Sequence, residues 1–308
     1  MENQRQRIEL YRQRTFSEKL NATFDFIREN WKPLLKYSFY LIMPICLVQT
    51  FAMNSVMFGI IDSTGGRLVG SSADLAVNGG IFVICCMIGM SLLSGLIYAM
   101  MQTYSTRTDG LQNAVFSDFK EHLVRNALRY LGLNLLIIMF AALLAAMTVS
   151  FATLISPVTL SITVPIILLF TFLMIPLVLI FPTYLFERYI TVLGAIKKAW
   201  KLGISSFWGM LGFLIVLYFI ASVIQSVTMV PWYILLVISS IFSNSSDPGI
   251  TQSIFYKFGA YVFGLIQSYG NYVSMMIGVI GLAFQYFHAR EKIEGVTIES
   301  NINNFSQL

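Results

Sequence analysis

Apolar residues occur along this chain in runs that are too long for the elements of a soluble core. A helix needs about 20 apolar residues to cross the hydrocarbon core of a bilayer. These runs are also too long and too uniformly apolar for barrel strands. The sequence therefore predicts an all-α, polytopic membrane helix bundle with six transmembrane helices. The predicted spans are 34–61, 81–104, 128–154, 162–186, 207–229 and 270–287.

Amphipathic segments precede every second span. Apolar residues at helical spacing, with polar residues between them, predict surface helices at 16–31, 111–126 and 190–202. Each would begin a unit of surface helix, span, outer loop and return span, and three such units would form a three-fold internal repeat. A second interpretation stays open, because any loop between two spans tends to be amphipathic.

Prolines set several of the predicted boundaries. Pro33 separates the first surface helix from its span, and Pro44 is expected to kink that span. Pro231 interrupts the fifth apolar run, and the last run is divided near residues 268–270 because it is too long for one simple span. Segments 231–242 and 254–268 are thus either re-entrant, interfacial or parts of longer tilted helices.

Basic residues are segregated along the chain. On the six-span topology, 18 of the 20 Lys and Arg residues lie on one side. The positive-inside rule makes that side cytoplasmic and places both termini there. We expect one membrane domain at 16–292, with a loose polar tail at 1–15 and another at 293–308. The first tail lacks the features of a signal peptide.

Composition excludes several classes of function. The chain is 56% hydrophobic and 11% charged, with a net charge of +5, and its mean hydropathy is +0.72. Because the basic residues flank spans, we expect no nucleic-acid partner. The three cysteines lie in apolar runs without a Cys-x-x-Cys or Cys/His motif. We therefore expect inert thiols, no metal and no cofactor.

Polar residues inside the predicted spans are uncharged. Hydrogen bonds between helices are the preferred interpretation of these side chains, and a polar cavity is the alternative. No acidic residue falls at mid-membrane depth, which disfavours proton- or cation-coupled transport. No catalytic motif is present, so we expect no enzyme. The six polar residues are Gln49, Asn54, Asn134, Gln225, Asn271 and Gln285.

The third surface helix carries the candidate binding residues. Lys197, Lys198 and Lys201 surround Trp200, a pattern suited to anionic lipid headgroups. Anchoring and orientation alone would use the same residues. Glu187, the acid nearest a span core, is expected to pair with Arg188 or with a basic residue of a surface helix. Trp31 is the matching interfacial anchor of the first surface helix.

Three features of the chain resemble the glycerophosphoryl diester phosphodiesterase membrane-domain family and its stand-alone bacterial relatives. These are the opening TFDFIRENWKPLLKYSFYLIMP at 23–44, the stretch at 181–217 that holds AIKKAWKL, and the six-span layout. The resemblance implies a bacterial inner (plasma) membrane location. It implies the membrane module without the catalytic domain that is fused to it in some members.

Together these patterns predict a non-enzymatic integral membrane protein. It would organise lipid or a membrane protein complex through basic, amphipathic, cytoplasmic helices. Its partners would be membrane lipids, anionic ones in particular, and either a membrane protein or a second copy of the chain. The alternative function is a transporter or channel for a neutral or amphipathic solute, while a membrane-embedded enzyme would require an unrecognised polar cavity.

Overall fold

The structure is a computed structural model that describes residues 8–64, 72–107, 110–111, 113–155, 172, 174–243 and 253–296. The described part of the chain is all-helical: 90% of these residues are in helices, and none is in a strand. The helices are α1 (Phe16–Thr64), α2 (Ser72–Thr106), α3 (Phe116–Ile155), α4 (Ile180–Phe186), α5 (Val192–Ile204), α6 (Phe207–Ser243) and α7 (Ile254–Glu294). A 3-10 helix, Ile175–Leu179, leads into α4.

Five helices have the length and apolar composition needed to cross a membrane. They are Phe16–Ile61, Ser72–Thr106, Phe116–Met147, Phe207–Phe242 and Ile254–Glu294. Residues 162–171 and 173 of the predicted fourth span lie outside the described residues, and its described end, Ile175–Phe186, is a shorter apolar helix. These features are those of a multi-pass membrane protein.

The helices pack in a connected bundle. Helix α1 lies against α2 and α7, α2 lies against α3, and α6 lies against α7. Small residues permit the closest approaches: a Cβ atom on Gly270 of α7 would lie 2.4 Å from Thr228 Oγ1 of α6. By contrast, only 6% of the apolar window of α3 is buried, so α3 turns most of its surface outward.

The break in α1 lies near Pro33, as predicted, although the helix resumes at once. Asn30 has non-helical dihedrals (φ −116°, ψ 18°), whereas no such break occurs at Pro44. Pro33 cannot donate to the carbonyl four residues earlier, and its ring crowds that carbonyl. At the break itself, the Asn30 side chain donates to the carbonyl of Phe26, four residues earlier, at 3.0 Å. The first surface helix is thus the initial part of α1.

The second surface helix begins later than predicted and continues directly into its span. Residues 111–115 precede α3, which starts at Phe116, and the Asp118 carboxylate accepts a hydrogen bond from the Val115 N–H at 3.1 Å. No proline or glycine follows until Gly132, so nothing stops the helix. The third surface helix is α5, which ends at Ile204, two residues beyond the predicted limit.

Two predicted interruptions are wrong. Helix α6 runs through Pro231 to Ser243, and α7 is continuous across residues 268–270. Segments 231–242 and 254–268 are therefore parts of longer helices. A proline inside a spanning helix is tolerated where neighbouring helices cover it. Here α6 is tied to α1 beside the proline, because Trp232 Nε1 donates to Asn54 Oδ1 of α1 at 2.8 Å.

The described part of the first tail is docked, and its predicted looseness is wrong there. Leu10 is only 7% exposed, and the ring centroid of Tyr11 lies 4.8 Å from that of Phe287 in α7. The backbone N–H of Ile8 donates to Tyr104 Oη of α2 at 3.2 Å. The apolar side chains of this tail therefore pack against the core of the bundle. Residues 1–7 and 297–308 lie outside the described part of the chain.

Candidate functional site

Charged residues from distant parts of the sequence meet beside the C-terminal end of α7. Helix α4 ends at Phe186, and Glu187 follows in an extended conformation. Its carboxylate lies 2.7 Å from Lys198 Nζ of α5 and 3.8 Å from Arg290 Nη1 of α7. Tyr286 Oη also donates to it, at 3.0 Å. The predicted pairing of Glu187 with a basic residue of a surface helix is confirmed.

A second carboxylate completes an arrangement that we call the ion network, which consists of Glu187, Lys198, Arg290 and Glu294. Lys198 Nζ lies 2.6 Å from Glu294, and Arg290 Nε lies 2.8 Å from the same carboxylate. The four side chains are 17–30% exposed. Because each charged group has two opposite neighbours, the ion network fastens α5 to the end of α7.

The electrostatics of the ion network favour a structural role. Partial burial alone would raise the pKa of Glu294, but hydrogen bonds from Lys198 and Arg290 outweigh it and hold that pKa below its usual value. Burial would also lower the pKa of Arg290, yet its carboxylate and tyrosine neighbours raise it. Both groups therefore stay charged near neutral pH, which suits a stable junction better than proton transfer.

The predicted lysines of α5 have different surroundings. Lys198 belongs to the ion network, whereas Lys197 and Lys201 are exposed and Trp200 is half-buried. Adjacent helical residues point about 100° apart, so neighbouring lysines can serve different purposes. Ala195, Ala199 and Leu202 are buried on the inner side of the helix. The α5 lysines thus divide into one structural residue and two outward-facing ones.

Trp31 does not join this group. It lies on α1, just after the kink, and is 51% exposed. The ammonium of Lys32 lies 5.8 Å from its ring centroid. Among the described residues, no interaction links Trp31 with α5.

Arg129 is an important residue that the sequence analysis missed. From α3, its guanidinium donates to the backbone carbonyls of Tyr184, Glu187 and Arg188 at 2.8, 2.9 and 2.7 Å. These carbonyls lie at and beyond the end of α4, where a helix leaves acceptors without intrahelical partners. Arg129 therefore holds the loop that presents Glu187. The only signal in the sequence is an arginine placed at the start of a span.

Buried cations near the N-terminus form a second group that the sequence did not reveal. Lys19 is 3% exposed, and its ammonium donates to Gln285 Oε1 at 2.7 Å. Burial lowers the pKa of Lys19 to about 8. The backbone N–H of Arg14 donates to His288 Nδ1 at 3.0 Å. Burial and the nearby cations Lys19, Lys292 and Arg14 lower the pKa of His288 to about 4, so it is neutral at pH 7.

The preferred interpretation of the polar residues inside the spans is confirmed for three of them. Gln49 Oε1 accepts a hydrogen bond from Tyr272 Oη at 2.7 Å. Asn54 Nδ2 donates to the carbonyl of Ala260 at 3.2 Å, and Gln285 holds Lys19 as described. Each bond joins α1 to α7, so the polar side chains link the first and last helices of the chain.

Within the described residues, no group of three or more His, Cys, Asp or Glu side chains is placed to hold a metal ion. Comparison with family models, curated proteins and solved structures gave no match. The class of protein therefore follows from the fold alone. The chain is an all-helical protein with the build of a multi-pass membrane protein, in which an ion network anchors a short basic helix.

Proposed function

We propose that this protein is a non-enzymatic membrane protein that organises anionic lipid through the outward side of α5. The observation that carries the proposal is the composition of that side. Lys197 and Lys201 are exposed there beside Leu193 and Ile204, which are 73% and 51% exposed. At 100° per residue these four positions fall within about 80° of the helix circumference.

Such a mixture of lysines and large apolar side chains suits the interface between headgroups and acyl chains. In water, the exposed Leu193 and Ile204 would be unfavourable, whereas in the interface their apolar surface is covered. Trp208, at the start of α6, is 75% exposed, and indole rings favour this same depth. The two lysines would contribute about 1 kcal/mol each near an anionic surface.

The ion network supports this proposal by giving α5 a fixed position. Lys198 is engaged by two carboxylates, so the headgroup contacts are assigned to Lys197 and Lys201. This division refines the predicted three-lysine site. Glu187 acts as a positioning residue, because its carboxylate holds Lys198 rather than facing the lipid.

The membrane arrangement that accompanies this function has six spans, three pseudo-symmetric units and both termini in the cytoplasm. The charge segregation supports it, since 18 of 20 basic residues fall on one side of that topology. The motif AIKKAWKL supports membership of the stand-alone membrane-domain family and, with it, a bacterial inner membrane. The alternative of a transporter or channel loses one of its motivating features, because α6 continues through Pro231.

Native mass spectrometry of protein extracted from its own membrane tests the proposal. The variant is Lys197→Gln with Lys201→Gln, and the control is Lys120→Gln with Lys257→Gln, which removes the same charge elsewhere. Loss of two headgroup contacts predicts about 30-fold weaker retention of phosphatidylglycerol by the variant, with the control unchanged.

Equal retention by the two proteins would contradict lipid binding at α5 and leave the helix as an anchor. A co-purifying protein at fixed stoichiometry, lost from the α5 variant while lipid is retained, would replace lipid with a protein partner.

A further inference from the structure

An apolar groove lies on the side of the bundle where α1, α6 and α7 meet. Its volume is about 340 Å³, and it is lined by Phe39 and Met43 of α1, Ile224 and Thr228 of α6, and residues of α7 between Val262 and Val273. Ligand pockets usually begin at about 300 Å³. Three of its wall residues, Phe39, Ile224 and Ile266, are 45%, 38% and 48% exposed, so the groove opens sideways.

The groove has the length of one acyl chain. Its α7 wall extends from Val262 to Val273, 11 helical steps or about 16 Å at 1.5 Å per residue. Half of the hydrocarbon core of a bilayer is about 15 Å thick. An occupant lying along α7 would therefore extend from the headgroup boundary to the bilayer centre, as an acyl chain of one leaflet does.

One end of the groove lies next to basic residues of α1. Tyr269, which lines the groove, bonds to Ser38 Oγ at 3.1 Å and to the carbonyl of Leu35 at 3.4 Å. These two residues flank Lys36 and Tyr37 in the sequence, so the Tyr269 hydroxyl lies beside the segment of α1 that carries Lys36.

Helical spacing places these lysines in line with the groove. Positions 32, 36, 39 and 43 fall within about 60° of the α1 circumference, so Lys32 and Lys36 lie on the same side of α1 as Phe39 and Met43. Both lysines are exposed. Their ammonium groups lie near the rings of the adjoining Trp31 and Tyr37, and neither forms an ion pair within the described part of the chain. Both charges are thus available to a phosphate.

The geometry points to a binding site for one anionic phospholipid. Its acyl chain lies in the groove between Phe39, Ile224 and Tyr269, and its phosphate is held by Lys32 and Lys36. This site rests on the proposed lipid-organising function but uses residues different from those of α5. Trp31 at the same level would pack beside the glycerol region, which gives this predicted anchor a specific place.

Photo-crosslinking in reconstituted vesicles tests the site. The probe is phosphatidylglycerol with a diazirine near the end of one acyl chain, in a phosphatidylcholine background, and mass spectrometry locates the label. We expect label on the groove residues of α1 and α7 in excess over residues 135–147 of α3, which also face outward. Replacing Lys32 and Lys36 with Gln should reduce groove labelling about fivefold for each lysine.

Matched aromatic substitutions test the chain-binding part. Ile224→Trp fills the groove and should abolish groove labelling, whereas Val223→Trp alters the adjoining residue, which is 52% exposed and outside the lining. Uniform labelling of all outward-facing helices, or equal labelling by a phosphatidylcholine probe, would overturn the site. The Lys197→Gln and Lys201→Gln variant should label normally here, so failure of the α5 proposal and failure of the groove give different results.

Discussion

Replacing Lys198 with Gln should loosen α5, whereas replacing its neighbour Lys197 should not. Lys198 Nζ lies 2.7 Å from Glu187 and 2.6 Å from Glu294, with 22% of its side chain exposed. At an effective dielectric constant of 20, each pair has an attraction of about 6 kcal/mol before desolvation. Most of this is offset, because all three groups lose hydration when they meet.

The stability lost in Lys198→Gln can be set from the typical energies of similar interactions. Exposed ion pairs contribute about 0.2–1 kcal/mol, and hydrogen bonds to charged groups about 1.5–3 kcal/mol. The partial exposure of Lys198 places each of its two bonds near 1 kcal/mol, or about 2 kcal/mol together. Arg290 remains beside both carboxylates in the variant, so neither is left without a cation.

Hydrogen exchange of the α5 amides in detergent measures this difference. If exchange follows local opening, a loss of about 2 kcal/mol raises the exchange rates about 30-fold. Lys197→Gln serves as the control, because Lys197 is exposed and outside the ion network. Equal exchange in the two variants would refute the energetic role of the network. A double-mutant cycle between Lys198→Gln and Glu187→Gln should show a coupling of about 1 kcal/mol.

Two further predictions concern other parts of the structure. Gly203→Ala should destabilise the protein by about 1–3 kcal/mol, because the new Cβ would lie 2.6 Å from the backbone of Pro176. Gly209→Ala is the control: open space surrounds Gly209, so this change should be neutral or slightly stabilising. Thermal unfolding in detergent compares the two variants, and equal unfolding midpoints would contradict the close packing of Gly203 on Pro176. Acidification should also destabilise the protein, because the folded-state pKa of His288 is lowered from 6.5 to about 4 and the unfolded chain therefore binds a proton more readily. The neutral form of His288 contributes up to about 3 kcal/mol to folding stability. This contribution is complete above pH 6.5 and is lost as pH falls to 4. His288→Gln should flatten the dependence of the unfolding midpoint on pH over that range, and an unchanged slope would refute the assignment.

Local patterns in the sequence were sufficient to predict the helical class and the position of α5. Helix α5 spans Val192–Ile204 where periodicity predicts 190–202, because its amphipathic pattern is strong and polar residues precede and follow it. The polar residues Gln49, Asn54 and Gln285 were correctly expected to bond between helices, since an amide in a membrane span needs a partner.

Relationships between distant residues could not be predicted in the same way. Periodicity shows that Lys198 lies beside two other lysines, but its carboxylate partner Glu294 lies at the far end of the chain. The role of Arg129 depends on where α4 ends in space, which no local pattern specifies. The continuity of α6 through Pro231 likewise depends on the surroundings of the helix, since a proline is tolerated in a spanning helix where neighbours cover it.

The pairing of α1 with α7 has a consequence for how the protein is made. Thr64, the last residue of α1, and Ile254, the first of α7, are 190 residues apart. At 5–20 residues per second, the ribosome needs roughly 10–40 s to synthesise the intervening chain. Throughout that interval Gln49 and Asn54 lack their final partners on α7. Of the helices that pack against α1, α2 and α6 are synthesised before α7, so α1 completes its packing only when the last helix arrives.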